Sequence, residues 1–151
     1  MQPSQKEKVA LAAVARDEKG LILRCWAKLI DGCDPLVAQA SALVWALQLA
    51  YEKHYQRLIL EGDSKTCFDA LNGSIDDADW KVQSLLFDAL DIANSFVSCE
   101  FCWIKRDANF VAHALATHAV LSNSNVFSTG MSLPPLVKEV WERDVFLLLL
   151  Q

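Results

Sequence analysis

Glu61-Gly62-Asp63-Ser64 directly follows the apolar run Leu58-Ile59-Leu60 and directly precedes Lys65-Thr66-Cys67-Phe68-Asp69-Ala70-Leu71. Apolar residues on both faces of the run suit a strand covered on each side by other layers. Ser64 is placed to cap the following helix, and Asn72-Gly73 to end it. Asp63 thus falls at the carboxyl end of a buried strand, where open α/β sheets concentrate their chemistry, so it is a candidate metal ligand or catalytic acid. The competing reading makes Asp63 an auxiliary helix cap. Glu61 is two residues earlier on the same strand face and is a second carboxylate within reach.

The remaining candidates are fewer than the eye first counts. His113 and His118 are five apart, which separates them by about 140° around a helix, so they are not a metal pair. Cys99 and Cys102 have the spacing of half a zinc knuckle, but positions three apart on a strand face opposite sides, and no second pair follows. A cationic patch forms if Lys65, Lys105 and Arg106 gather at one sheet end, with Ser64 and Asn109 able to hydrogen-bond sugar or phosphate. Three cations support weak nucleic-acid binding at most, because affinity follows the number of phosphates neutralised.

The elements that must position these residues read in order. Val9 to Ala15 and Leu21 to Trp26 are strands around a glycine-bearing turn, which makes a hairpin. Pro35 opens a helix running from about Leu36 to Lys53, apolar nearly all round. The strand ending at Asp63 and its short helix follow. A helix over Trp80 to Asn94, a strand over Val97 to Lys105 and a helix over Phe110 to Leu121, capped by Asn109, complete the core. This order gives a mixed α/β sheet layered with helices. Residues 1–8 read as a disordered start, 9–121 as the domain, and 122–151 as a polar linker plus a helical extension opened by Pro134-Pro135.

Composition bounds the function. The chain has 151 residues, 53% of them hydrophobic, enough for one sizeable soluble core. A net charge of −5 supplies no global field toward nucleic acid. Five cysteines, an odd number, with no secretory signal before them, point to a reducing intracellular setting, cytoplasm or nucleus. The longest strongly apolar run, Val145 to Leu150, is far short of the roughly 20 residues a membrane helix needs.

Three segments in this order resemble the ribonuclease H fold in its reverse-transcriptase-like form, abundant in plants. They are Ala38-Gln39-Ala40-Ser41-Ala42-Leu43, Glu61-Gly62-Asp63-Ser64, and Arg106-Asp107-Ala108-Asn109-Phe110-Val111-Ala112-His113-Ala114-Leu115-Ala116. The hairpin around Arg16-Asp17-Glu18-Lys19-Gly20 resembles that family's second and third strands. The resemblance implies a nuclease that cuts the RNA strand of RNA–DNA hybrids. In such enzymes four carboxylates hold two magnesium ions about 4 Å apart across the scissile phosphate.

This chain departs from the family pattern at three of those four places. Gln39 stands at the helix glutamate, His113 at the last aspartate, and the first strand with its aspartate is lacking. Asp63 alone remains. Gln39 shares a stripe with Leu43, Ala46 and Ala50, so it reads as a partly buried, hydrogen-bonded amide. His113 reads as a structural histidine, with general base or phosphate contact as the alternatives; a neutral imidazole is a poor magnesium ligand.

The expected function is therefore a ribonuclease H-like domain with a degraded two-metal site, a weak binder of RNA or hybrid and a relic of a mobile element. The alternative is an active magnesium-dependent hybrid ribonuclease. A third reading is a truncated gene product with no independent role. A sheet lacking its central strand leaves open edges. The expectation is that Val145 to Leu150 fills the vacated place, or that a protein partner or a second copy pairs there. A competing expectation is that this tail extends the last helix.

Overall fold

The computed structural model describes residues 8–17, 22–32, 34–105 and 110–129. The hairpin forms as expected, with β1 (Lys8–Arg16) antiparallel to β2 (Ile22–Asp31). The register runs evenly from Lys8↔Asp31 to Ala15↔Arg24, then shifts so that Arg16 faces Ile22. Leu23 is the extra residue at this bulge, which redirects the end of β1 at Arg16. β2 runs five residues beyond the expected Trp26, because every residue to Asp31 has a partner on β1.

Helix α1 (Pro35–Glu52) starts on Pro35 behind Asp34, whose carboxylate accepts from the Leu36 N–H at 2.9 Å. Its buried residues are Ala38, Ala40, Leu43, Ala46, Leu47 and Ala50, mostly small, which allows close approach. Next come β3 (Arg57–Gly62), α2 (Lys65–Asn72), a short 3-10 turn (Ile75–Asp77) and α3 (Trp80–Ala93). The chain continues through β4 (Ser98–Trp103) and α4 (Phe110–Ser122). Helix α3 buries Val82, Leu86, Ala89 and Ala93, the alternating three-and-four spacing of a one-faced helix.

A strand not expected from sequence follows. Val126–Thr129 forms β5, pairing antiparallel with β2 from Ala27↔Val126 to Arg24↔Thr129. Asn125 anchors its start by accepting from the Leu29 N–H at 2.8 Å. The segment read as polar linker thus contributes to the sheet, for a physical reason: the pairing is long-range and local composition does not encode it.

Among the described residues the strands fall into two parts, β1-β2-β5 and the parallel pair β3-β4. One hydrophobic cluster spans both parts, drawing Val14, Cys25 and Trp26 together with Leu58, Leu60 and Phe68. Helix α1 packs on β1 and against α3, and α4 packs over β1 and β2 through Leu115 and Ala119. The tail Val145 to Leu150, expected to fill a strand position, lies outside the described residues, as does the helix expected after Pro134. No helix among the described residues is long and apolar enough to cross a membrane.

Candidate functional site

The turn from β3 into α2 has the form expected from its residues. Ser64 caps α2, accepting from the Cys67 N–H at 3.4 Å, and its carbonyl accepts from the Phe68 N–H at 3.0 Å. Leu58 and Leu60 are buried and Ile59 half-buried, which sets β3 between covering layers. Gly62 has a steric reason to be glycine: a Cβ there would lie 2.7 Å from Cε2 of Phe68, itself fully buried. The Phe68 ring also packs edge-on against Phe101 of β4, with centroids 6.4 Å apart. Strand, turn and α2 are therefore fixed as one unit.

Asp63 is half-buried at the end of this strand. Its carbonyl accepts from the indole Nε1–H of Trp103 at 3.2 Å, and the Gly62 carbonyl accepts from the Ile104 N–H at 2.9 Å. These bonds carry the β3-β4 ladder one step past its last pair and hold Trp103 beside the aspartate.

Glu61, the second carboxylate of the turn, is paired. Arg16 Nη2 at the end of β1 lies 3.2 Å from Glu61 Oε1, and the two side chains are 6% and 13% exposed. This ion pair brings the carboxyl-terminal ends of β1 and β3 together, two residues before Asp63. Glu61 therefore faces a buried guanidinium.

Lys65 is exposed and pairs with Asp69 at 2.7 Å, one helical turn on; its ammonium also lies 5.8 Å from the Trp103 ring centre. Lys105 is exposed just past β4. Lys65, Ser64, Asp63 and Trp103 thus share one end of the β3-β4 pair. Arg106 and Asn109 lie outside the described residues, and so does the His113 side chain on α4.

Gln39 differs from its expectation. It is exposed on the first turns of α1, whereas Leu43, Ala46 and Ala50 of the same stripe are buried. Its neighbours Ala38 and Ala40 are buried while Gln39 itself points to the exposed side of the helix, so the amide is not a core polar group. Among the described residues no three His, Cys, Asp or Glu side chains gather as metal ligands. Cys99 is half-buried and Cys102 exposed, three positions apart on β4.

Two participants escaped the sequence reading. Arg16 looked like the first residue of a polar turn, and only a buried partner 45 residues away reveals its role. Trp103 carried a signal that could have been used: it shares a strand face with Phe101, but sits at the strand end, where a large ring overhangs the core.

Comparison with known proteins agrees with this architecture. Ribonuclease H1 from the halophilic archaeon Halobacterium salinarum NRC-1 superposes with a TM-score of 0.71 at 22% identity, covering 82% of this chain and 93% of that one. The N-terminal ribonuclease H domain of rv2228c from Mycobacterium tuberculosis, solved as a maltose-binding-protein fusion, gives 0.55 at 18% identity, covering 78% and 96%. At these identities the likeness shows the fold, which is ribonuclease H-like. No curated protein matches the sequence significantly. The sequence from residue 2 to residue 119 matches the reverse transcriptase-like family, and the chain belongs to that family.

Proposed function

We propose that this domain binds RNA or RNA–DNA hybrid weakly at the Asp63 end of the β3-β4 pair and is not an efficient nuclease. The observation that carries the reading is the buried Arg16–Glu61 ion pair. A two-metal site needs several carboxylate oxygens free to face two divalent cations. Here the carboxylate beside Asp63 already faces a guanidinium, and a fixed positive charge at the same strand ends opposes a second cation. Gln39 contributes a neutral, exposed amide. His113, on this reading, contributes an imidazole where a hard cation calls for carboxylate oxygen. The described donors therefore do not fit a pair of magnesium ions.

Binding needs less than catalysis. Lys65 and Lys105, with Arg106 and Asn109 as the proposed neighbours, supply a small cationic edge. Ser64 offers a hydroxyl, though that group is buried and committed to its cap. The family resemblance and the ribonuclease H fold support hybrid or RNA as the ligand.

The test is fluorescence polarisation of a labelled hybrid duplex in EDTA across a salt series. Binding should persist without divalent cations, with a log–log salt slope of about −2 to −3, the value for three neutralised phosphates. Loss of all binding in EDTA would point instead to a metal-organised site and to the active-nuclease alternative.

A further inference from the structure

Trp103 does not sit like the other described tryptophans. Trp26 is buried in the core and Trp45 is half-buried under the Lys28 ammonium, 4.9 Å from its ring centre. Trp103 is 42% exposed, yet it is not loose: its Nε1–H is spent on the Asp63 carbonyl. The bond fixes the indole against the strand end, so little ordering is left to do when something packs on it. The Lys65 ammonium lies over the ring, 5.8 Å from its centre, Lys105 is exposed two residues along the chain, and the Lys65–Asp69 pair is an exposed one that a phosphate can displace at small cost.

We infer that Trp103 is a stacking platform for an unpaired nucleobase, with Lys65 placed for the adjoining phosphate, so that the site prefers single-stranded RNA to a closed duplex. The inference rests on the nucleic-acid-binding reading above and names the part of the ligand it engages. A fixed, part-exposed indole with a displaceable cation near its ring is an arrangement on which bases stack in sequence-tolerant single-strand binding. Bases inside a duplex already stack on each other and offer no free face. Trp80 supplies the contrast. It is 80% exposed but flanked by Asp76, Asp77 and Asp79, whose charges repel a phosphate chain.

The test uses a short fluorescein-labelled oligouridylate, whose bases stack little on one another, and a blunt-ended RNA–DNA hybrid hairpin. Trp103→Ala should weaken oligouridylate binding about tenfold, the scale of one lost base–aromatic stack, and change hairpin binding less than about twofold. Trp103→Phe keeps a ring and should stay within about threefold of the native chain, which separates stacking from any loss of fold. Trp80→Ala should leave both probes unchanged. Unaltered oligouridylate binding by Trp103→Ala, or equal weakening of both probes, overturns the stacking role while leaving the broader reading standing if the native chain binds the hairpin. If the native chain binds neither probe, both fall together.

Discussion

Arg16 closes β1 and Glu61 stands one residue before the end of β3, and their ion pair at 3.2 Å, almost wholly out of water, ties the two parts of the sheet together beside Asp63. A pair this buried has a large desolvation cost and is stable only while both charges are present. Glu61→Leu or Arg16→Leu should each destabilise the domain by about 3–5 kcal/mol, by leaving one buried charge uncompensated. Combining the two should cost clearly less than the sum of the singles. Urea denaturation of the four proteins in a double-mutant cycle measures this, and strict additivity would mean that the pair is not coupled.

Gly62→Ala tests whether the geometry of the β3–α2 turn is set by packing. The new methyl group would meet Phe68 at 2.7 Å, and Phe68 is held by the core and by Phe101. A loss of about 1–3 kcal/mol is expected, the usual scale of overpacking. A melting temperature equal to that of the native chain would show that the ring can step aside.

How much of this was legible depends on the range of the interaction. Asp34, Ser64, Asp79 and Gly73 punctuate their helices through bonds to residues within a turn, and Pro35 presets the first turn of α1, so α1, α2 and α3 could be read almost to the residue. The β5 strand could not, since Val126–Thr129 is defined by pairing with residues about a hundred positions earlier. The same holds for Arg16, whose partner lies on another strand, and for Gln39, which is exposed although Leu43, Ala46 and Ala50 of its stripe and its neighbours Ala38 and Ala40 are buried. The candidate site was visible at Asp63 and Ser64, where a strand end and a helix cap coincide in sequence. The side chains around it come from β1 and β4, and only the fold assembles them.

The thiols should report the layering directly. Burial pushes Cys25 up to about 12 and Cys99 to about 11, and Cys67 is raised by burial too. Cys102 is raised as well, by partial burial and the neighbouring Glu100 and Glu61 carboxylates, but it is the exposed one of the four described cysteines. Under native conditions a thiol reagent at mildly alkaline pH should label Cys102 before Cys99 and reach Cys25 and Cys67 only on unfolding. Peptide mapping by mass spectrometry reads the order; early labelling of Cys25 would contradict the core assignment.

Asp34 gives a pH prediction with a definite sign. The hydrogen bond that its carboxylate accepts from the Leu36 N–H holds its pKa below the ordinary carboxylate value, outweighing the upward push of desolvation, and the nearby Lys81 ammonium adds to the lowering. A depressed folded-state pKa adds stability above the unfolded value, and that stability is lost as pH falls through the folded one. Asp34→Asn retains a cap but not the charge. The native chain should melt slightly above this variant near neutrality, and the two should converge below the native carboxyl's pKa. A difference that is constant with pH would show that the charge is irrelevant.

The most direct test is a cleavage assay of an RNA–DNA hybrid by the purified chain with and without magnesium, run beside Asp63→Asn. On the proposed reading the expected result is no magnesium-dependent product from either protein, because Glu61 is held by Arg16 and the described carboxylates beside Asp63 are too few for two cations. Magnesium-dependent turnover that disappears in Asp63→Asn would contradict the account and restore this domain to the active nucleases.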